Sequence, residues 1–210
     1  MSRRVPGGRR AALVVVAGAA LAYRRWHLCW GATRAEVDAE MPGDTLLVRA
    51  PFRSTRAITI AAPASAVWPW LVQIGAGRAG FYSYDRLDNH GRPSSEMVMG
   101  EFQHVAVGDV AAPMTVPSDE TTSFVVFGFE TDRWLGWTKP GSTWVWQLAP
   151  IDHGRGTRLV VRLADAYAMP RALLGAPLLE IADFPMMRKE LLGIKRRAES
   201  LVEARSPAAA

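Results

Sequence analysis

The chain is poor in the residues from which many catalytic and metal sites are built. One cysteine, Cys29, in 210 residues excludes an internal disulfide framework and any zinc site made of paired cysteines. It leaves the redox compartment open, since a secreted protein can also lack disulfides. The four histidines, His27, His90, His104 and His153, show no metal-ligand spacing. There is no G-x-S-x-G, H-E-x-x-H or Walker loop, and the one G-x-G-x-x-G spacing, Gly75 to Gly80, follows a helical pattern where a dinucleotide site needs a strand. No metal and no cofactor is expected. Internal repeats are absent, and the only low-complexity tract is the Ala-rich last four residues.

Acidic residues are missing from one region altogether. Residues 1–34 hold seven arginines (Arg3, Arg4, Arg9, Arg10, Arg24, Arg25, Arg34) and no Asp or Glu. Of 25 Lys+Arg, 18 remain for the rest of the chain against 20 Asp+Glu, so the basic character belongs to the N-terminus. A nucleic-acid-binding domain needs a basic patch on the domain itself, and none is expected here.

Long apolar runs are scarce too. Ala11 to Tyr23 is uncharged over thirteen residues, short of the roughly 20 that cross a bilayer. Extension to residue 30 reaches that length if Arg24 and Arg25 snorkel and Trp26 and Trp30 sit at an interface. Three readings stand: a single membrane anchor over residues 11–30, preferred here; a secretory signal cut after Ala20-Leu21-Ala22, followed by export; and a peripheral helix. Four arginines precede the segment and three follow, a small excess that favours an extracytoplasmic domain without deciding the side.

What is present is the pattern of one α+β domain. About half of the residues are hydrophobic, and the length suits a single core. Ala32 to Pro51 reads as a connector with a Thr33-capped helix and a turn at Pro42-Gly43-Asp44. Arg56 to Ile60 alternates as a half-buried strand. Pro63 suits the start of a helix with apolar Val67, Trp68, Leu71, Val72 and Ile74, stopped by Gly75 and Gly77. Arg92–Gly100 and Pro113–Thr122 read as polar loops, and His104 as a residue at a strand edge. Strands are expected over Ser123–Glu130, Arg133–Thr138, Ser142–Ala149 and Thr157–Tyr167, the last two joined by a hairpin loop at Asp152–Gly156. In the hairpin, Trp144, Trp146 and Leu148 share a face, and Leu159, Val161 and Leu163 oppose Arg158, Val160 and Arg162. The last helix is read as starting at Pro185 and running to about Ala204, with Met187, Leu191, Ile194, Ala198 and Leu201 as its apolar stripe.

Four segments carry a resemblance: the I-T-I-x-A-P-x-x-A-V-W-P-W-L-V-Q-I-G run from Ile58 to Gly75, the G-F-Y-S-Y-D motif from Gly80 to Asp85, H-x-A-V-G-D from His104 to Asp109, and the hairpin from Ser142 to Arg162. With these the chain resembles the SRPBCC superfamily, the StAR-related lipid-transfer and polyketide-cyclase-like proteins, over roughly residues 26–204. The resemblance implies a helix-grip fold, a curled antiparallel sheet wrapped on a long C-terminal helix, here with an N-terminal hydrophobic helix. The expected organisation is a basic, hydrophobic N-terminus over residues 1–30, a connector over 31–54 and the helix-grip domain over 55–205. It also implies a hydrophobic cavity beneath the last helix, which related proteins use for many purposes.

The expected function is therefore binding or transfer of a hydrophobic small molecule (a lipid, isoprenoid or polyketide), without catalysis, at a membrane. Expected ligand contacts are Trp70, Phe81, Tyr82, Tyr84, Phe127, Trp144, Trp146, Arg162, Met187 and Leu191, with Tyr167 a further polar contact. Two alternatives remain: an aromatase/cyclase-like enzyme that orients a flexible substrate, and an interaction module with a filled cavity. Tyr84, Asp85 and His104 are the weak catalytic candidates, although Asp85 also suits a helix cap. The discriminating feature is a titratable group aimed into the cavity with a perturbed pKa.

Overall fold

A computed structural model describes residues 7–114, 116–118, 123–166 and 170–205, with side chains described outside 7–10 and 170–179. Helix α1 (Gly7–Leu28) and the short α2 (Arg34–Asp38) precede strand β1 (Phe52–Ile60). Helices α3 (Ala64–Val72) and α4 (Asp85–Asp88) come next. Strands β2 (Val110–Pro113), β3 (Ser123–Glu130), β4 (Trp134–Lys139), β5 (Ser142–Ile151) and β6 (Gly156–Asp165) follow, and α5 (Pro170–Arg205) closes the chain. The strands form one antiparallel sheet in the order β1-β6-β5-β4-β3-β2, curled but not closed. This is an α+β helix-grip architecture.

Two-residue alternation sorts the sheet into two faces. On the concave face Ile60, Trp137, Trp146, Leu148, Leu159 and Val161 join Leu71 and Ile74 of the α3 region and Leu191, Ile194 and Ala198 of α5 in the main core. On the convex face Ala57, Val145 and Val160 pack with Met41 of the connector, and Phe127 leans on them. The Thr33 cap of α2 is a full capping box with Glu36, and the β5–β6 hairpin turns through Asp152, His153 and Gly154, all at positive φ.

Several expectations change. Helix α5 begins at Pro170, and Pro185 lies inside its 36 residues. His104 sits in a loop outside every strand. Tyr167, and Thr115 and residues 119–122 of the expected second loop, lie outside the described residues. Helix α1 has 22 residues, but its uncharged stretch of thirteen rises only ~20 Å against a hydrocarbon core of ~30 Å. No helix among the described residues is long and apolar enough to cross a membrane.

The segment from Trp26 to Thr33 belongs to the fold itself. Phe184 of α5 meets Trp26 edge-on at 5.1 Å and packs on His27 and Trp30. Trp30 C=O accepts from the Ala57 N–H of β1, and Arg188 lies over the Trp30 ring. Gly31 follows at φ 74°, where a Cβ would stand 2.0 Å from the Ala57 oxygen, so only glycine lets the chain run this close to β1.

Candidate functional site: a cavity under the long helix

The concave face of the sheet and the stretch of α5 over residues 180–190 do not close on each other. Between them is a cavity of about 350 Å³. Its apolar wall is made by Phe52 of β1, Leu163 of β6, Trp144 of β5, Phe124 of β3, Phe81 in the loop before α4, and Met186 and Met187 of α5. Trp144 is braced from behind by an edge-to-face contact with Trp137 (5.2 Å, 87°) and by Trp146 at 5.3 Å. Such aromatic packing holds a wall rigid, whereas the methionines can adapt to what lies against them.

The polar lining is acidic. Asp88, Asp165, Glu180, Asp183 and Glu190 face the cavity, with Lys139, Ser83 and Ser142. Three of these acids have cationic company. Arg24 of α1 grips Glu180 through two bonds, Nε–Oε2 at 2.7 Å and Nη2–Oε1 at 2.9 Å. The fully buried Arg56 of β1 donates from Nη1 to Asp183 Oδ2 at 2.6 Å and from Nε to the His27 carbonyl at 2.9 Å. Lys139 attracts Asp165 and lies 4.8 Å from the centre of the Phe124 ring.

Asp88 and Glu190 differ. Asp88 Oδ2 accepts from the Tyr84 N–H at 3.2 Å, but its Oδ1 has no partner, and neither has Glu190 Oε1 among the described residues. Glu190 is 3% exposed. Burial raises its pKa well above the ordinary glutamate value, and the nearby Asp88 and Asp183 add to the rise. Burial also raises Asp88, opposed by the Tyr84 N–H and by Ser83. Asp183 is raised by burial against the pull of Arg56. The buried His27, at the rear of this cluster, is lowered by burial and then by Arg56.

The sequence-expected contacts divide sharply. Phe81, Trp144 and Met187 line the cavity. Trp70, Trp146 and Leu191 are core residues outside it. Tyr82 is buried, its hydroxyl donating to the Trp70 carbonyl and accepting from Gln73 Nε2, so its polar atom is already engaged. Tyr84 is exposed at the surface with Lys189 over its ring. Phe127 and Arg162 point the other way, to the convex face, as alternation with the inward Val126 and Leu163 requires. There Arg162 binds Thr55, Asp44 and the carbonyls of Glu36, Val37 and Ala39, tying the end of α2 to the sheet.

The three catalytic candidates are apart from the cavity. Asp85 is the first residue of α4, and its Oδ1 accepts from the Ser94 N–H and hydroxyl, fixing a loop. His104 is exposed beside Arg78 and Asp109, at a smaller hollow of about 190 Å³. Among the described residues no group of acids, histidines and cysteine is placed to hold a metal ion. Glu180, Asp183 and Glu190 escaped sequence reasoning, yet a signal existed. They fall at i−7, i−4 and i+3 from Met187, on the face of its stripe.

No family model matches the chain, and no curated protein does. Solved structures with a similar chain path include the polyketide-cyclase-like protein Cgl2372 of Corynebacterium glutamicum, 18% identical, covering 74% of this chain and 96% of that one with a TM-score of 0.41. A Rhodobacter sphaeroides protein is 18% identical over 73% of this chain and 93% of its own, with a TM-score of 0.44. Thermus thermophilus TTHA0849 is 15% identical over 74% of this chain and all of its own, with a TM-score of 0.38. The fold assignment rests on the strand order and the long helix described above.

Proposed function

We propose that the protein binds a hydrophobic small molecule of lipid, isoprenoid or polyketide type in the cavity beneath α5. The observation that carries this reading is the cavity wall: aromatic side chains from β1, β3 and β5 and from the loop before α4 converge with two methionines on one space of about 350 Å³. Pockets that are mostly apolar with a few placed polar groups suit small amphipathic ligands. Titration with the neutral fluorescent probe N-phenyl-1-naphthylamine tests it. Saturable binding to the wild type, lost in the cavity-filling variant Leu163→Trp, supports the reading; equal fluorescence with both proteins sinks it.

The aromatase/cyclase-like alternative has its own support in Glu190. A buried acid whose pKa is raised well above the ordinary glutamate value suits proton donation to a polarised carbonyl. This alternative expects a ligand recovered from the protein to be chemically changed on incubation, and the change to stop in Glu190→Gln.

Membrane attachment through α1 completes the proposal. Leu13, Val14, Val15 and Val16 are four consecutive residues, each at least 66% exposed. A helical stretch that is apolar on every side, as between Arg10 and Arg24, asks for a non-aqueous neighbour. Insertion of this segment into a lipid surface would set the cavity close to a source of hydrophobic ligand.

A further inference from the structure

The cavity has a surplus of acid at one end. Glu180, Asp183 and Asp165 each have a basic partner, whereas Asp88 and Glu190 are in no ion pair among the described residues. Glu190 is 3% exposed, lines the cavity and has an oxygen with no hydrogen-bond partner among the described residues; Asp88, 8% exposed, lines the same cavity with a second such oxygen. A buried polar atom is normally satisfied, because one left unpaired has lost its water without replacement. Three such atoms lie on the cavity lining among the described residues: the Trp144 Nε1 donor and the two acceptors Asp88 Oδ1 and Glu190 Oε1. The two oxygens, on side chains from different elements, ask the occupant for hydrogen-bond donors, more than one, and a carboxylate pair favours a group that also carries positive charge.

The remaining wall suits the same group. Aromatic faces carry negative potential and attract cations, and Phe81, Phe124 and Trp144 surround the space. Lys139 already exploits this at the Phe124 end, where Asp165 attracts it. An ammonium carries three donors and one charge, enough to satisfy Asp88 Oδ1 and Glu190 Oε1 together. A hydroxyl brings one donor and no charge.

We propose that the ligand is an amphipathic organic amine, its apolar body against Phe81, Phe124 and Trp144 and its ammonium between Asp88 and Glu190. This rests on the binding reading above and narrows it to one chemical class.

The test uses the full chain and displacement of N-phenyl-1-naphthylamine by two ligands of equal length, decylamine and 1-decanol, at neutral pH. Decylamine is expected to displace the probe at about tenfold lower concentration, the worth of one charge-assisted hydrogen bond. Glu190→Gln and, independently, Asp88→Asn are expected to bring the two ligands level by weakening displacement by decylamine. Equal displacement by both ligands in the wild type overturns the amine assignment and leaves the cavity reading standing. An amine preference that survives in both variants also overturns it. Failure of the probe itself to bind overturns the cavity reading, and this inference with it.

Discussion

Glu190 shows how a residue can serve a site at the expense of the fold. In the folded chain burial raises its pKa well above the ordinary glutamate value; in the unfolded chain it ionises in the ordinary range. A folded pKa raised above the unfolded one means that the acid's contribution to stability is complete below about pH 4.5 and falls as pH rises toward the folded value. Glu190→Gln removes this loss. Urea unfolding is expected to show the variant close to wild type at acid pH and more stable than wild type at pH 8, with the gap widening as pH rises. Glu36 behaves oppositely. Its bond to Arg158, reinforced by the Thr33 N–H and hydroxyl, lowers its pKa to about 2. Its contribution is present above about pH 4.5 and disappears as pH falls toward 2. At Gly31, substitution by alanine meets both an unfavourable φ and the Ala57 oxygen at 2.0 Å. Gly31→Ala is expected to destabilise by about 1–3 kcal/mol or more, read as a lower unfolding midpoint.

Among the elements, α5 separates what the sequence discloses from what it conceals. Its apolar stripe from Met187 to Leu201 was legible because helical spacing survives any environment. Its start was not, because Pro185 is a good first-turn residue and equally a proline within a longer helix when packing holds both sides. The error hid the acidic face, since Glu180 and Asp183 fell outside the expected helix. Strands β3 to β6 were read to within two residues at each end, from β-branched and aromatic alternation, whereas β1 starts four residues before the expected Arg56 and the short β2 was not read as a strand. The same alternation, applied strictly, sends Arg162 and Phe127 to the convex face. The W-H-L-x-W-G-A-T segment from Trp26 to Thr33 had no readable role, because its partners, Ala57, Phe184 and Arg188, are distant in sequence. Phe184 is the centre of that contact. Phe184→Ala is expected to cost about 3 kcal/mol and to expose the chain between α1 and α2 to proteolysis. Helix α1 contributes differently. With Val14 and Val15 both changed to Glu, co-flotation of the full chain with anionic liposomes is expected to fall. The unfolding midpoint should stay where it was, since both side chains are about 70% exposed.

At the scale of the whole molecule, one sheet does two jobs. Its convex face is sealed by the connector, through Arg162 and the Met41 cluster, and its concave face is filled at one end by core and left open at the other. Protein interiors are close-packed, so a space of about 350 Å³ walled by aromatic residues is a departure that filling would relieve. Native mass spectrometry of the full-length protein, purified from cells and gently desolvated, tests that claim most directly. The account predicts a discrete added mass of small-molecule size, carrying basic nitrogen, that is lost on denaturation and absent from Leu163→Trp. A bare chain mass in the wild type, unchanged after incubation with a total lipid and amine extract, would contradict it.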